Sequence, residues 1–278
     1  MNALTPLETI FAVERGNDLP LPPDLLTLFG RLQFPSHKVP YVVGNFVTTL
    51  DGVVALNEPG HVSGGDISGY NHHDQMVMGL LRAIADAVIV GAGTLRSAPR
   101  HRWTAQHIYP ALSTAYQHLR NNLGKPAPPL NVIVSARGNI SLDLPVFQSD
   151  EVPVLIVTTP AGEQRIRAQH LPASVQLSSV PGAGSLSARA ILEAVSHAQQ
   201  SEIILVEGGP QLMGDFFAEK YLDELFLTLA PQIAGRDGNS ERPGLVTGKR
   251  FAPEHPLWGT LIGVKRSESH LFLRYAFE

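Results

Sequence analysis

The chain has 278 residues, 44% hydrophobic and 17% charged, which suffices for a packed core in one large α/β domain or two small ones. Its net charge is −4 with no basic block, so a phosphate-neutralising nucleic-acid surface is not expected, and no apolar run approaches the ~20 residues that span a bilayer. The absence of cysteine excludes disulfides, thiol nucleophiles, iron–sulfur clusters, thiolate zinc sites and zinc-dependent base deaminases together.

Residues 1–38 are rich in Pro and Leu and are expected to form an arm on the body, with one short helix over 24–32 capped by Asp24. The opening lacks a basic segment followed by an apolar one, so no secretory signal and a cytoplasmic location are expected. Residues 41–47 (YVVGNFV) predict a buried strand. Residues 71–85 predict a helix, because Met76, Leu80, Leu81 and Ile84 recur at helical spacing. Residues 87–90 (AVIV) predict a strand ending in Gly91-Ala92-Gly93. Residues 99–129 look irregular, with one short helix near 111–119. Strands are predicted at 131–135, 154–158 and 201–206, and helices at 161–168 and 187–199. This alternation predicts a largely parallel sheet covered on both faces. The end breaks the rhythm: 223–230, 257–265 and 270–277 predict an antiparallel edge. No repeat and no biased linker divides the chain, so a single domain is expected.

Three segments carry chemistry. Gly91-Ala92-Gly93-Thr94 follows a strand, where glycines let backbone amides approach a phosphate. Arg96 stands where a third Rossmann glycine belongs, so the motif alone also fits a plain turn. Next, a strand runs into Glu207-Gly208-Gly209-Pro210-Gln211-Leu212, with proline at the first helical position. A helix N-terminus there offers unpaired amides and the positive end of a dipole, which suits a pyrophosphate. Glu207, at the carboxyl end of the strand, is expected to point into the ligand crevice of an open α/β sheet; a capping role is the competing reading. Third, a strand stops at Thr48-Thr49-Leu50-Asp51-Gly52, whose hydroxyls suit a ribose or amide and whose Asp-Gly reads first as a turn.

In this order the segments resemble the reductase domain of the bifunctional deaminase–reductase of riboflavin biosynthesis. The resemblance is carried by residues 49–52, Arg82, residues 86–94, 206–212 and 223–231, and a closing strand at 271–275. It covers about residues 38–278, which makes 39–278 the expected reductase domain. It implies a dihydrofolate-reductase-like single domain with a mostly parallel central sheet, flanking helices and an antiparallel C-terminal edge. It also implies NADPH as hydride donor, a pyrimidine- or pterin-like small molecule as substrate, reduction of a phosphoribosylamino-pyrimidine to its ribityl form, and a homodimer. By position, Thr48, Gly91, Gly93, Thr94 and the turn Gly208, Gly209, Pro210, Gln211 and Leu212 would hold the cofactor, with Ser135 near its adenosine half. Arg82 and Glu207 would face the substrate, and Glu207 is the one candidate catalytic group. Arg137 beside Ser135 adds a guanidinium suited to a 2′-phosphate.

The chain departs from the family pattern at Asn45, where a lysine is usual, at Ser97-Ala98-Pro99, and through 100–129. Two other readings stay open. One is a dihydrofolate-type or promiscuous carbonyl reductase; the other is a non-catalytic NADP(H)-binding sensor. No metal site is expected: His72 and His73 point in different directions on their helix, and His101 is flanked by Arg100 and Arg102. That Arg-His-Arg triplet fits either a substrate phosphate or a solvated loop. The proton donor is left unassigned.

Overall fold

The computed structural model describes residues 4–35, 38–182, 184–238 and 241–277; the expected arm and body thus have residues 1–3, 36–37, 183, 239–240 and 278 outside the described residues. The chain opens with strand β1 (Glu8–Ala12), the short strand β2 (Asn17–Asp18), helix α1 (Pro23–Phe29) and the short strand β3 (Gln33–Phe34). Strand β4 (Tyr41–Thr48) leads through α2 (Gly64–Ser68) to α3 (His72–Ile84) and β5 (Ala87–Gly91). Helices α4 (Ala92–Ser97), α5 (Ala105–Ile108) and α6 (Ser113–Asn122) precede β6 (Leu130–Val134). Then come α7 (Pro145–Gln148), β7 (Val154–Thr158), α8 (Pro160–Arg167), β8 (Val175–Ser179), α9 (Ala188–Ala198), β9 (Ile203–Val206) and α10 (Pro210–Ala218). Strands β10 (Glu224–Leu229), β11 (Thr260–Ser267) and β12 (His270–Ala276) close the chain.

Ten strands form one sheet in the order β1-β11-β12-β10-β4-β9-β5-β6-β7-β8. From β10 to β8 every pairing is parallel, whereas β12, β11 and β1 add antiparallel pairs at one edge. The expected α/β class with an antiparallel C-terminal edge is therefore what the chain forms. Successive strand residues serve opposite faces, as the two-residue strand period requires. Val43, Val88, Val90, Ile133, Ile156 and Leu205 pack with α3, whereas Val42, Ile89, Val132, Leu155, Ile204 and Val206 pack with α9 and α10. Covering on both faces explains why these strands are apolar at nearly every position.

Local signals set the element ends. The Asn71 side chain accepts from the His73 and Asp74 amides and so caps α3. Ser187 and Thr159 cap α9 and α8 in the same way. Asp24 does not cap α1: the helix begins one residue earlier behind Pro22, and Asp24 lies in its first turn without a capping bond. The arm is also more than a cover, because β1 extends the sheet beyond β11 and Leu7, Leu25, Phe29 and Leu32 are core residues.

Residues 99–129 are more ordered than expected and brace α3. Tyr116 donates to the Met76 carbonyl at 3.0 Å, and Arg120 donates to the Ala83 and Ala85 carbonyls at 3.0 and 2.9 Å, closing the C-terminal end of that helix. Gly79 permits this packing, since a Cβ there would lie 2.5 Å from the Tyr116 hydroxyl oxygen.

The topology creates a switch point between β9 and β5. The chain passes from β4 to β5 and returns later to place β9 between them, so adjacent connections leave the carboxyl ends of these strands in opposite directions. In open α/β sheets ligands bind at such a switch point.

Candidate active site

The two glycine turns meet at the carboxyl ends of β5 and β9. The Glu207 amide donates to the Ile89 carbonyl at 3.0 Å, which continues the pairing of the strands into the turn. A Cβ on Gly208 would lie 2.8 Å from the Gly91 nitrogen, 3.1 Å from Val90 Cα and 2.4 Å from Leu212 Cδ2. The turns are thus in backbone contact, and glycine at 208 is a condition of their approach. At Gly209 the nearest atom to such a Cβ is Thr94 Oγ1, at 3.7 Å, so the Gly93-Thr94 stretch lies beside the start of α10. Gly209 occupies the N-cap position and Pro210 opens the helix without any side-chain cap, which leaves the first amides of α10 for a ligand.

Glu207 lies on the opposite wall, on the α3 face. Arg82 Nε donates to both carboxylate oxygens at 3.1 Å, and Arg82 Nη2 reaches Oε2 at 2.7 Å. Both side chains are deeply buried, 3% and 6% exposed. The remaining Arg82 donors are also committed: Nη1 to His101 Nε2 at 2.7 Å and to the Thr104 carbonyl at 3.3 Å, and Nη2 to Met78 Sδ at 3.3 Å. A guanidinium has five N–H donors, so Arg82 has none left for a substrate. The family resemblance implies that both residues face the substrate; the structure brings them together and turns Arg82 onto Glu207.

His101 completes the brace. Burial, then the Arg82 charge, pushes its pKa down to about 2, so the ring is neutral and its Nε2 accepts from Arg82. Its ring also packs edge-on against Trp103 and His107. Arg102 pairs with Glu151 at 3.2 Å and with Ser149. Of the Arg-His-Arg triplet only Arg100 keeps an exposed side chain without a protein partner among the described residues. No spacing in the sequence points from His101 to Arg82.

The end of β4 runs on beyond its last pairing with β9, at Gly44 and Val206. The Thr48 hydroxyl is buried and donates to the Thr49 and Val53 carbonyls. Thr49 donates to Asp51 Oδ1 at 2.6 Å, and the Asp51 carboxylate also accepts from the Ala234 and Gly235 amides at 3.1 and 2.8 Å. These bonds, the Thr49 hydroxyl first, hold the Asp51 pKa down to about 2. Asp51 therefore clamps its own turn to the segment after β10.

Ser135 follows β6, buried, with its amide donating to Val157 and its carbonyl accepting from the Thr158 hydroxyl. Arg137 is exposed and only its carbonyl is engaged, by Arg165 at 2.7 Å. Its guanidinium, near the carboxyl ends of β6 and β7, has no partner among the described residues.

His73 contacts the Thr5 carbonyl through Nε2 and the Ser267 hydroxyl through Nδ1. Among the described residues no three His, Cys, Asp or Glu side chains are grouped to hold a metal ion, and no helix is long and apolar enough to cross a membrane.

Comparison with known proteins places the chain in a family. Residues 40–253 match the family model described as the RibD C-terminal domain. The chain is 27% identical over 213 residues to the 2,5-diamino-6-ribosylamino-4(3H)-pyrimidinone 5′-phosphate reductase of Archaeoglobus fulgidus, covering 76% of this chain and 88% of that one. A pyrimidine reductase-like protein of Corynebacterium diphtheriae superposes with a TM-score of 0.68 at 20% identity, over 91% of this chain and 98% of that chain. A diaminohydroxyphosphoribosylaminopyrimidine deaminase/5-amino-6-(5-phosphoribosylamino)uracil reductase of Thermotoga maritima superposes with a TM-score of 0.64 at 20% identity, over 86% of this chain and 57% of that longer chain. The two structural likenesses concern the fold.

Proposed function

This chain belongs to the RibD C-terminal domain family, and on that premise we propose that it is an NADPH-dependent reductase of riboflavin-biosynthesis type. Its substrate is a 5-amino-6-(5-phosphoribosylamino)uracil-like pyrimidine, whose ribose is reduced to ribityl. The observation that carries this reading is the placement of the two abutting glycine turns on one side of the switch-point crevice and the braced Glu207 carboxylate on the other.

The residues present fit the cofactor. Gly91, Gly93 and Thr94, with Gly208 through Leu212, form a close-approach surface ending at the uncapped amides of α10, which suits a pyrophosphate. Thr48 borders the crevice, and Ser135 with the free guanidinium of Arg137 suits an adenosine 2′-phosphate. Bound there, the nicotinamide supplies the hydride.

Glu207 is the group that meets the substrate, accepting hydrogen bonds from its amino or hydroxyl groups and so orienting the acceptor carbon. Arg82 is a positioning residue: it sets the plane of the Glu207 carboxylate and is itself set by His101 and Thr104. This arrangement limits the rotation of the carboxylate, which matters when reacting atoms must meet at ~3–3.5 Å. The arm over 1–38 and the body over 39–278 work as one unit through β1. The exposed Ile10, Trp258 and Leu261 near that edge support a homodimer.

The test is direct. NADPH is titrated into the protein by calorimetry, and nicotinamide absorbance is then followed with the phosphoribosylamino-pyrimidine. Saturable binding and substrate-dependent oxidation are expected. Binding without oxidation on this substrate would remove the reductase assignment; no binding would remove the cofactor site as well.

A further inference from the structure

We infer that the cavity under the N-terminal arm, around Lys265, is a second binding site, for a compact cyclic carboxylate such as a benzoate-type acid. It lies at the antiparallel end of the sheet, away from the crevice, and the inference does not rest on the proposed function. The cavity measures about 220 Å³, and its lining includes Phe29 of α1, Val77 of α3, Phe226 of β10, Ile262 and Lys265 of β11, and Phe272 of β12. A cavity of about 150 Å³ with apolar walls is enough to take up benzene. A single ring with one small substituent therefore fits, and a nucleotide does not.

The charges decide the ligand. Three other ionised side chains line the same space, and each has its counter-charge inside the protein. Arg31 pairs with Asp18 at 2.8 Å and with Glu14, and Glu14 also accepts from Gln33 at 2.8 Å. Arg274 donates to Glu224 at 2.7 Å and stacks on Phe34 and Phe226 at 4.8 and 4.9 Å. Lys265 alone is unmatched. Its Nζ donates to the Thr9 hydroxyl at 2.8 Å and sits 4.8 Å over the Phe29 ring, and no carboxylate pairs with it among the described residues.

A lysine normally extends its ammonium to water. Here burial, then the charge of Arg274, acts against the protonated form. An ammonium has three donors; the hydroxyl and the ring face occupy two, and one remains for an acceptor. A carboxylate supplies the missing charge, while a ring attached to it contacts the aromatic and aliphatic walls. A neutral ring leaves the ammonium unpaired, and a free inorganic anion leaves the walls unfilled.

The experiment is a calorimetric titration of the full chain with benzoate and with benzamide, which has the same shape without the charge, repeated on Lys265→Met. Saturable benzoate binding is expected, with benzamide and the variant each about tenfold weaker or more. If the Met variant does not fold, the lysines are labelled by reductive methylation with carbon-13 formaldehyde. The signal missing in Lys265→Arg should then shift with benzoate and not with benzamide. No saturable benzoate binding, equal affinity for benzamide, or an unmoved Lys265 signal overturns the inference. So does a dimer, seen in sedimentation, that takes up no benzoate because a second copy covers the cavity.

Discussion

Arg82 and Glu207, 125 positions apart in the chain, form a forked ion pair in which one guanidinium nitrogen touches both carboxylate oxygens at 3.1 Å and a second reaches one of them at 2.7 Å. The pair joins α3 to the end of β9 and sits on the wall of the crevice. Glu207 is thereby held in one orientation, and in the proposed reaction Arg82 acts through it.

Glu207→Gln should lower kcat/KM by about 10²-fold, on the order of 2.7 kcal/mol of transition-state stabilisation, with little change in NADPH affinity. It should also lower the melting temperature, because the buried Arg82 charge loses its partner. The double variant Arg82→Met/Glu207→Leu separates the two effects. Filling the site with apolar side chains should restore much of the stability and none of the activity. Restored activity in the double variant would remove Glu207 from the reaction.

Arg137→Ala should weaken NADPH by about tenfold, ~1.4 kcal/mol, and leave NADH unchanged. Its side chain is exposed and makes no bond among the described residues, so the melting temperature should hold. Steady-state kinetics with both cofactors checks this; equal losses would place Arg137 away from the 2′-phosphate.

Gly208→Ala should cost about 1–3 kcal/mol of stability, because two of the atoms its Cβ would meet, at 2.8 and 3.1 Å, are backbone and cannot turn aside. NADPH affinity should fall with it as the turns separate. Gly209→Ala, whose Cβ would meet only Thr94 Oγ1 at 3.7 Å, should keep its stability. Urea denaturation of the two variants side by side tests whether the contact between the turns sets the difference.

Asp51 gives a pH dependence with a defined sign. Its folded pKa is lowered from 3.8 to about 2, so its contribution is present above about pH 4 and is lost as the pH falls towards 2. Asp51→Asn should therefore reduce stability at neutral pH and flatten the stability curve across that acid window. Thermal melts of both proteins from pH 5 to about pH 2 check this; parallel curves would show that the Thr49 and Gly235 bonds do not favour the charged form.

What the sequence determined by itself is local. The strands at 41–48, 87–91 and 154–158 are apolar runs bounded by turn residues, and α3 and α9 carry both a helical period and a capping side chain. Those signals lie within a few residues of the elements they specify. The diglycine at 208 was legible for the same reason, since only glycine suits a turn that another backbone must touch. Strand β8 was not legible: its residues are half exposed and partly polar, and it is a strand because β7 offers it a free edge. The tertiary structure alone decided that β9 inserts between β4 and β5, that β1 closes the far edge, and that His101 meets Arg82. Such contacts depend on which surfaces come together once the core forms. A side chain's own pattern reports its burial and spacing but not the identity of a partner brought to it from a distant part of the chain.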